Sequence, residues 1–171
     1  AIREDTRLIS IMHSNNEVGT IQPIEEIAAI ARERGIKMHT DAVQSLGKVP
    51  LKVDELGVDM LALSAHKIHG PKGVGTLYIR KGFRPEPIIH GGGQERRMRA
   101  GTENVAGIVG FARAIKLATE HGHEAVERMR ALRDRHPPGA PLHRGRACLQ
   151  ARHQVLIRPG RHLPRCGRER A

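Results

Sequence analysis

With 171 residues the chain can enclose one ordinary core, and its +11 charge is concentrated late: from His136 onward eight Arg oppose Glu169 alone, leaving +4 on residues 1–135. Tyr78, Phe83 and Phe111 are the only aromatic residues, so a basic face interleaved with stacking rings is missing and nucleic acid is not an expected partner of the folded part. There is no run of eighteen apolar residues and no secretory pattern, which predicts no membrane span and a cytoplasmic location.

Thr6 to His13 reads as a strand, with Leu8, Ile9, Ile11 and Met12 apolar, and runs into the polar loop Ser14–Glu17 closed by Gly19. Pro23 opens a helix with Glu25 and Glu26 in its first turn, where the helix dipole favours acids. Ile24, Ile27, Ala28, Ile30 and Ala31 form its apolar stripe, and Gly35 stops it. Ile36 to His39 is a second strand ending at Thr40-Asp41. Val53 to Leu56 is a short helical turn, and Met60 to Leu63 a third strand. Strand, helix, strand, short helix, strand predicts an α/β fold with a mostly parallel sheet and flanking helices.

Gly70, Pro71, Gly73 and Gly75 turn the chain after the third strand, and Thr76 to Arg80 leaves as another strand. Beyond Pro85 and Pro87, Gly91-Gly92-Gly93 marks a flexible or closely approached backbone, followed by Arg96, Arg97 and Arg99. Gly101-Thr102-Glu103-Asn104 leads into an amphipathic helix whose buried side is expected to hold Val105, Ile108, Val109, Ala112, Ile115 and Ala118. Gly122 is expected to interrupt it, with Glu124 to Arg135 continuing as a charged surface helix. Residues 1–135 thus read as one domain. Residues 136–171 are an Arg/Pro-rich tail without apolar period, expected to be disordered or foreign. Its Cys148 and Cys166, with 17 residues between them, match neither C-x-x-C nor a zinc pattern. His66 and His69 have a short metal-like spacing but no third ligand at hand, so no metal is expected.

The polar residues gather at strand ends: Asn15 and Asn16 after the first, Asp41 at the second, Ser64, His66 and Lys67 at the third. In open α/β sheets ligands lie outside the carboxyl ends of the strands. A lysine at such a strand end, if desolvated, can act as an amine nucleophile toward a carbonyl compound such as pyridoxal phosphate. That cofactor also needs a carboxylate at its ring nitrogen, for which Asp41 is placed. Gln44 and Asn16 could reach the ring oxygen; Ser64, His66 and Thr102 are candidates for its phosphate. Taken singly, each feature also fits a plainer role: a Gly-rich turn whose Lys reaches water, a cap or loop Asp, an Asn-Asn turn.

The ordered motifs Asn15-Asn16-Glu17-Val18-Gly19, His39-Thr40-Asp41-Ala42-Val43-Gln44, Ser64-Ala65-His66-Lys67-Ile68-His69-Gly70-Pro71-Lys72-Gly73, Gly91-Gly92-Gly93-Gln94-Glu95 and Arg99-Ala100-Gly101-Thr102-Glu103-Asn104 closely resemble those of the cysteine desulfurases, relatives of the selenocysteine lyases, over roughly residues 5 to 135. The resemblance implies part of the large domain of the pyridoxal-phosphate transferase (aspartate aminotransferase-like) fold. It makes Lys67 the Schiff-base lysine and Asp41 the partner of the pyridine nitrogen. Gln44 and Asn16 would then contact the ring oxygen, and Ser64 and His66 the phosphate. Thr102 would hold phosphate in the neighbouring subunit's site of a homodimer.

The implied reaction takes sulfur from L-cysteine onto an enzyme cysteine as a persulfide and leaves L-alanine. The sulfur then passes to an acceptor or scaffold protein, as in iron–sulfur cluster assembly. The family's preceding segment, with a phosphate-binding turn and a ring-stacking histidine, has no counterpart here. Nor has its C-terminal small domain with the acceptor cysteine, whose surroundings neither Cys148 nor Cys166 matches. The chain is therefore expected to be a fragment with little turnover alone. Two other readings stay open from sequence: a selenocysteine lyase, or a non-catalytic fragment whose basic tail binds a polyanion.

Overall fold

The computed structural model describes residues 1–135, together with the backbone of residues 155–157. β1 (Leu8–Met12), β2 (Lys37–Asp41) and β3 (Met60–Ser64) form a parallel trio, in register Met12↔Asp41 and Asp41↔Ala62. β4 (Gly75–Ile79) joins antiparallel beyond β3, and β5 (Val155–Ile157) antiparallel beside β1, giving the order β4-β3-β2-β1-β5. The expected α/β architecture is present. The expectation for the tail otherwise lies outside the described residues, as do Cys148 and Cys166.

Between β1 and β2 runs α1 (Ile24–Glu33), with Pro23 at its N-cap and Glu25 and Glu26 in its first turn. It ends where Gly35 takes φ +65°, a left-handed turn that a side chain would resist. Alternation along the strands turns Ile9, Met38 and Leu61 to one side, where they pack with Ile24, Ala28 and Ala31 of α1. The other side carries Ser10, Met12, His39, Asp41, Ala62 and Ser64, all half-buried. Ile30 departs from the expected stripe: it is exposed, because the buried line of α1 runs through Ile24, Ala28 and Ala31. α2 (Val53–Leu56) is the short turn expected, ended by Gly57 at φ +65°.

The loop from Ala65 to Val74 links β3 to β4 as a hairpin, closed by Ser64↔Gly75 and by Ala65 N–H donating to the Val74 carbonyl at 3.1 Å. Its first turn, Ala65–Ile68, is 3-10 helical. Beyond it, α3 (Gln94–Arg97) is one strained turn: Glu95, Arg96 and Arg97 have φ of 47°, 56° and 64°. Left-handed backbone costs a residue with a Cβ roughly 1–2 kcal/mol. The Gly101 N–H donating to Gln94 Oε1 at 3.2 Å helps to hold it.

α4 (Val105–Asp134) begins at Asn104, whose Oδ1 accepts from the Gly107 N–H at 3.0 Å. Two expectations fail here. The helix is continuous through Gly122, and of the six residues expected on its buried side only Ile115 and Ala118 pack, half-buried, against the core; Val105, Ile108, Val109 and Ala112 are exposed, and the buried residues are Gly107, Phe111 and Ala114. Size decides the face. A Cβ on Gly110 would stand 2.6 Å from Pro71 Cγ, and one on Gly122 3.0 Å from the Gly47 carbonyl oxygen. A seam of small residues thus lets α4 come close against the hairpin loop and the loop after β2. Phe111 and Ala114 there meet Ala65 and Ile68.

Candidate active site

The strand ends converge as their order requires. Met12, Asp41 and Ala62 lie in one row across three parallel strands, so the loops that follow leave from one rim of the sheet. Asp41 and Ser64 are on adjacent strands and, being an even number of steps along the ladder, face the same side. Asp41 is half-buried; its Oδ1 accepts from the Val43 N–H at 3.0 Å, and Oδ2 has no protein partner among the described residues. That leaves a fixed carboxylate with one oxygen to offer a ligand.

Lys67 follows in the hairpin loop, in the turn whose Ala65 and Ile68 point into the core. That turn leaves His66 and Lys67 on the outside, so Lys67 is exposed among the described residues, and the desolvation that would make it a readier nucleophile is not supplied by them. Ser64 Oγ and His66 Nδ1 are 2.8 Å apart at the start of the same loop, one donating to the other. Gln44 is half-buried in the loop after β2, Asn16 is exposed in the loop after β1, and Thr102 is exposed on a separate segment leading into α4. Asn15 adopts the turn role: its Oδ1 accepts from the Glu17 and Val18 N–H groups at 2.8 and 3.0 Å, which presents Asn16 at the bend.

Two histidines behind the rim were not singled out from sequence as site residues. His39 Nδ1 lies 2.7 Å from Ser10 Oγ; burial pushes its pKa below the ordinary value, against the upward pull of the Asp41 carboxylate. His13 is buried, with Nδ1 2.7 Å from Ser45 Oγ, and burial lowers its pKa as well. A pairing across 32 residues leaves no spacing signature, so only the fold shows it.

Two clefts lie elsewhere. One of about 340 Å³ opens at the other end of the central strands, lined by Arg32, Lys37, Asp54, Asp59 and Arg80. Its charges largely satisfy one another, with Lys37–Asp59 at 3.0 Å and Arg80–Asp54 at 2.9 Å, so it is a structural knot. The other, about 310 Å³, is bounded by His90 to Gly93, Arg97 and Ala100.

The aminotransferase class-V family profile matches residues 1–135. The chain belongs to the class-V aminotransferase family. Among the relatives of this class-V chain, the cysteine desulfurase IscS of Dictyoglomus turgidum is 61% identical over 134 residues, which are 78% of this chain and 34% of that protein. A solved NifS-like protein superposes with a TM-score of 0.74 at 54% identity, over 78% of this chain and 37% of that one. SspA, solved in complex with cysteine, gives a TM-score of 0.65 at 51% identity, over 68% and 34%. The class-V chain therefore spans about a third of the length of the curated relatives it matches. Among its described residues no helix is long and apolar enough to cross a membrane.

Proposed function

We propose that this chain is the cofactor-bearing core of the large domain of a pyridoxal-phosphate-dependent cysteine desulfurase. The observation that carries the reading is the single rim on which Asp41, Ser64 and the Lys67 loop follow adjacent parallel strands. The names of the relatives and the cysteine in the SspA complex support L-cysteine as substrate. When bound, the cofactor supplies an electron sink for a carbanion next to the amino group.

The donor set fits that group. Lys67 is the amine that holds the cofactor's carbonyl carbon. The Asp41 carboxylate keeps a proton on the pyridine nitrogen. Gln44 and Asn16 offer amide N–H groups to the ring oxygen, and the Ser64–His66 pair offers to the phosphate the donor that their mutual hydrogen bond leaves free. Thr102, on its exposed segment, serves the phosphate in a second copy of the chain, which makes the enzyme a homodimer. Sulfur leaves substrate for an enzyme cysteine and then for a protein acceptor, in the service of iron–sulfur assembly in the cytoplasm; L-alanine is the other product.

Titration of the chain with pyridoxal phosphate tests the reading. A visible absorption band that saturates in the parent and is lost in Lys67→Ala supports it. A band of equal strength in the variant overturns it.

A further inference from the structure

A chain of polar side chains, buried at His13 and Ser45 and half-buried at Ser14, lies just behind the rim. His13 is 6% exposed and Ser45 0%. His13 Nδ1 and Ser14 Oγ both reach Ser45 Oγ, at 2.7 and 2.5 Å. Buried hydroxyls and imidazoles are costly unless paired, and here Ser45 Oγ pairs with both His13 Nδ1 and Ser14 Oγ. In one order Ser14 O–H donates to Ser45 Oγ, whose O–H donates to Nδ1; in the other Nδ1–H donates to Ser45, which donates to Ser14.

The backbone of the same residues extends the tie. The His13 N–H donates to the Asp41 carbonyl at 2.8 Å, and the His13 carbonyl accepts from the Gln22 N–H at 2.8 Å. The Ser45 carbonyl accepts from the Lys48 and Val49 N–H groups at 2.9 and 3.0 Å. Ser14 stands two residues before Asn16, and Ser45 directly follows Gln44. One hydroxyl therefore couples the loop after β1 to the loop after β2, each carrying one amide side chain at the rim.

We infer that His13, Ser45 and Ser14 are positioning residues that lock these two loops together, so that Asn16 and Gln44 are presented jointly to the ring oxygen of the cofactor. The last clause rests on the cofactor reading above; the locking stands on geometry alone. Burial keeps the His13 imidazole neutral, in keeping with either hydrogen-bond order.

Amide hydrogen exchange on the full chain without cofactor tests the lock. Ser45→Ala is expected to raise exchange roughly tenfold not only at Lys48 and Val49 but also across the loop at Asn15 and Gly19, leaving the β2–β3 ladder unchanged. Should Ser45→Ala fail to fold, the half-buried Ser14→Ala reads the coupling in reverse, as faster exchange at Lys48 and Val49. His13→Asn, whose amide can stand near the place of Nδ1, is expected to retain protection that His13→Leu loses. Exchange that rises only on the mutated loop overturns the inference.

A second arm adds pyridoxal phosphate and traps the Lys67 adduct with borohydride. Ser45→Ala is expected to shift the visible band and weaken retention roughly tenfold, the worth of a mis-set hydrogen bond, with the Lys67 adduct still formed. An unchanged band and affinity overturn the positioning role. If the parent forms no Lys67 adduct, the cofactor reading falls, while the exchange experiment still decides the lock.

Discussion

Asp41 is in register with Ala62 of the neighbouring parallel strand, which places its carboxylate beside the last residues of β3 and on the same side as Ser64. The hairpin loop bearing Lys67 begins immediately after. An acid and an amine on adjacent strand ends are what a small charged heterocycle needs at its two ends. Asp41→Asn keeps an oxygen to accept from the Val43 N–H, so the loop is preserved. It removes the charge that would hold a proton on a ring nitrogen. Retention of pyridoxal phosphate is expected to fall about 10- to 100-fold, the worth of a charge-assisted hydrogen bond of about 1.5–3 kcal/mol, with little change in melting temperature. Equilibrium dialysis beside a thermal scan separates the two.

α4 buttresses the Lys67 loop through residues chosen for size. Gly110→Ala would ordinarily stabilise a helix by about 1 kcal/mol, but here the added methyl stands 2.6 Å from the rigid Pro71 ring. Overpacking of this kind costs about 1–3 kcal/mol, so a net loss of stability is expected. Phe111→Ala, which empties the centre of the same contact, is expected to cost about 3–5 kcal/mol. Urea unfolding of the two variants checks both the sign and the order.

His13 and His39 give the fold a pH dependence of determinate sign. Burial lowers both pKa values from an ordinary value near 6.5, so the unfolded chain takes up protons first as the pH falls. Their contribution is complete above about pH 6.5 and is lost as the pH drops through the folded values. The urea midpoint is expected to fall between about pH 7.5 and about pH 5.5, and His13→Asn to reduce that slope. A slope unaltered by the substitution would remove His13 from this account.

Much of the fold was legible because its signals are local. Short apolar runs marked the strands, Pro23 and Gly35 bracketed α1, and Ser64 to Gly75 announced a turn with reactive groups. What was not legible depended on neighbours distant in sequence. Gly122 looked like a stop, yet it is a point of close approach to Gly47, 75 residues earlier, and the helix passes through it. Val105, Ile108 and Val109 outranked Gly107 and Gly110 in hydrophobicity, but a close approach selects small residues, so the greasier face was left outside. The exposure of Lys67 follows from a 3-10 turn that buries Ala65 and Ile68 instead.

The most direct measurement is borohydride reduction of the chain in the presence of pyridoxal phosphate, followed by peptide mapping. Lys67 lies in the loop that follows β3 on the same rim as the end of β2, and Lys48, on the loop after β2, and Lys72, later in the Lys67 loop, are exposed as Lys67 is. The predicted result is a phosphopyridoxyl group on Lys67, depleted by Asp41→Asn. Label spread over Lys48, Lys67 and Lys72 in proportion to exposure, or indifferent to Asp41, would contradict a built site at this rim.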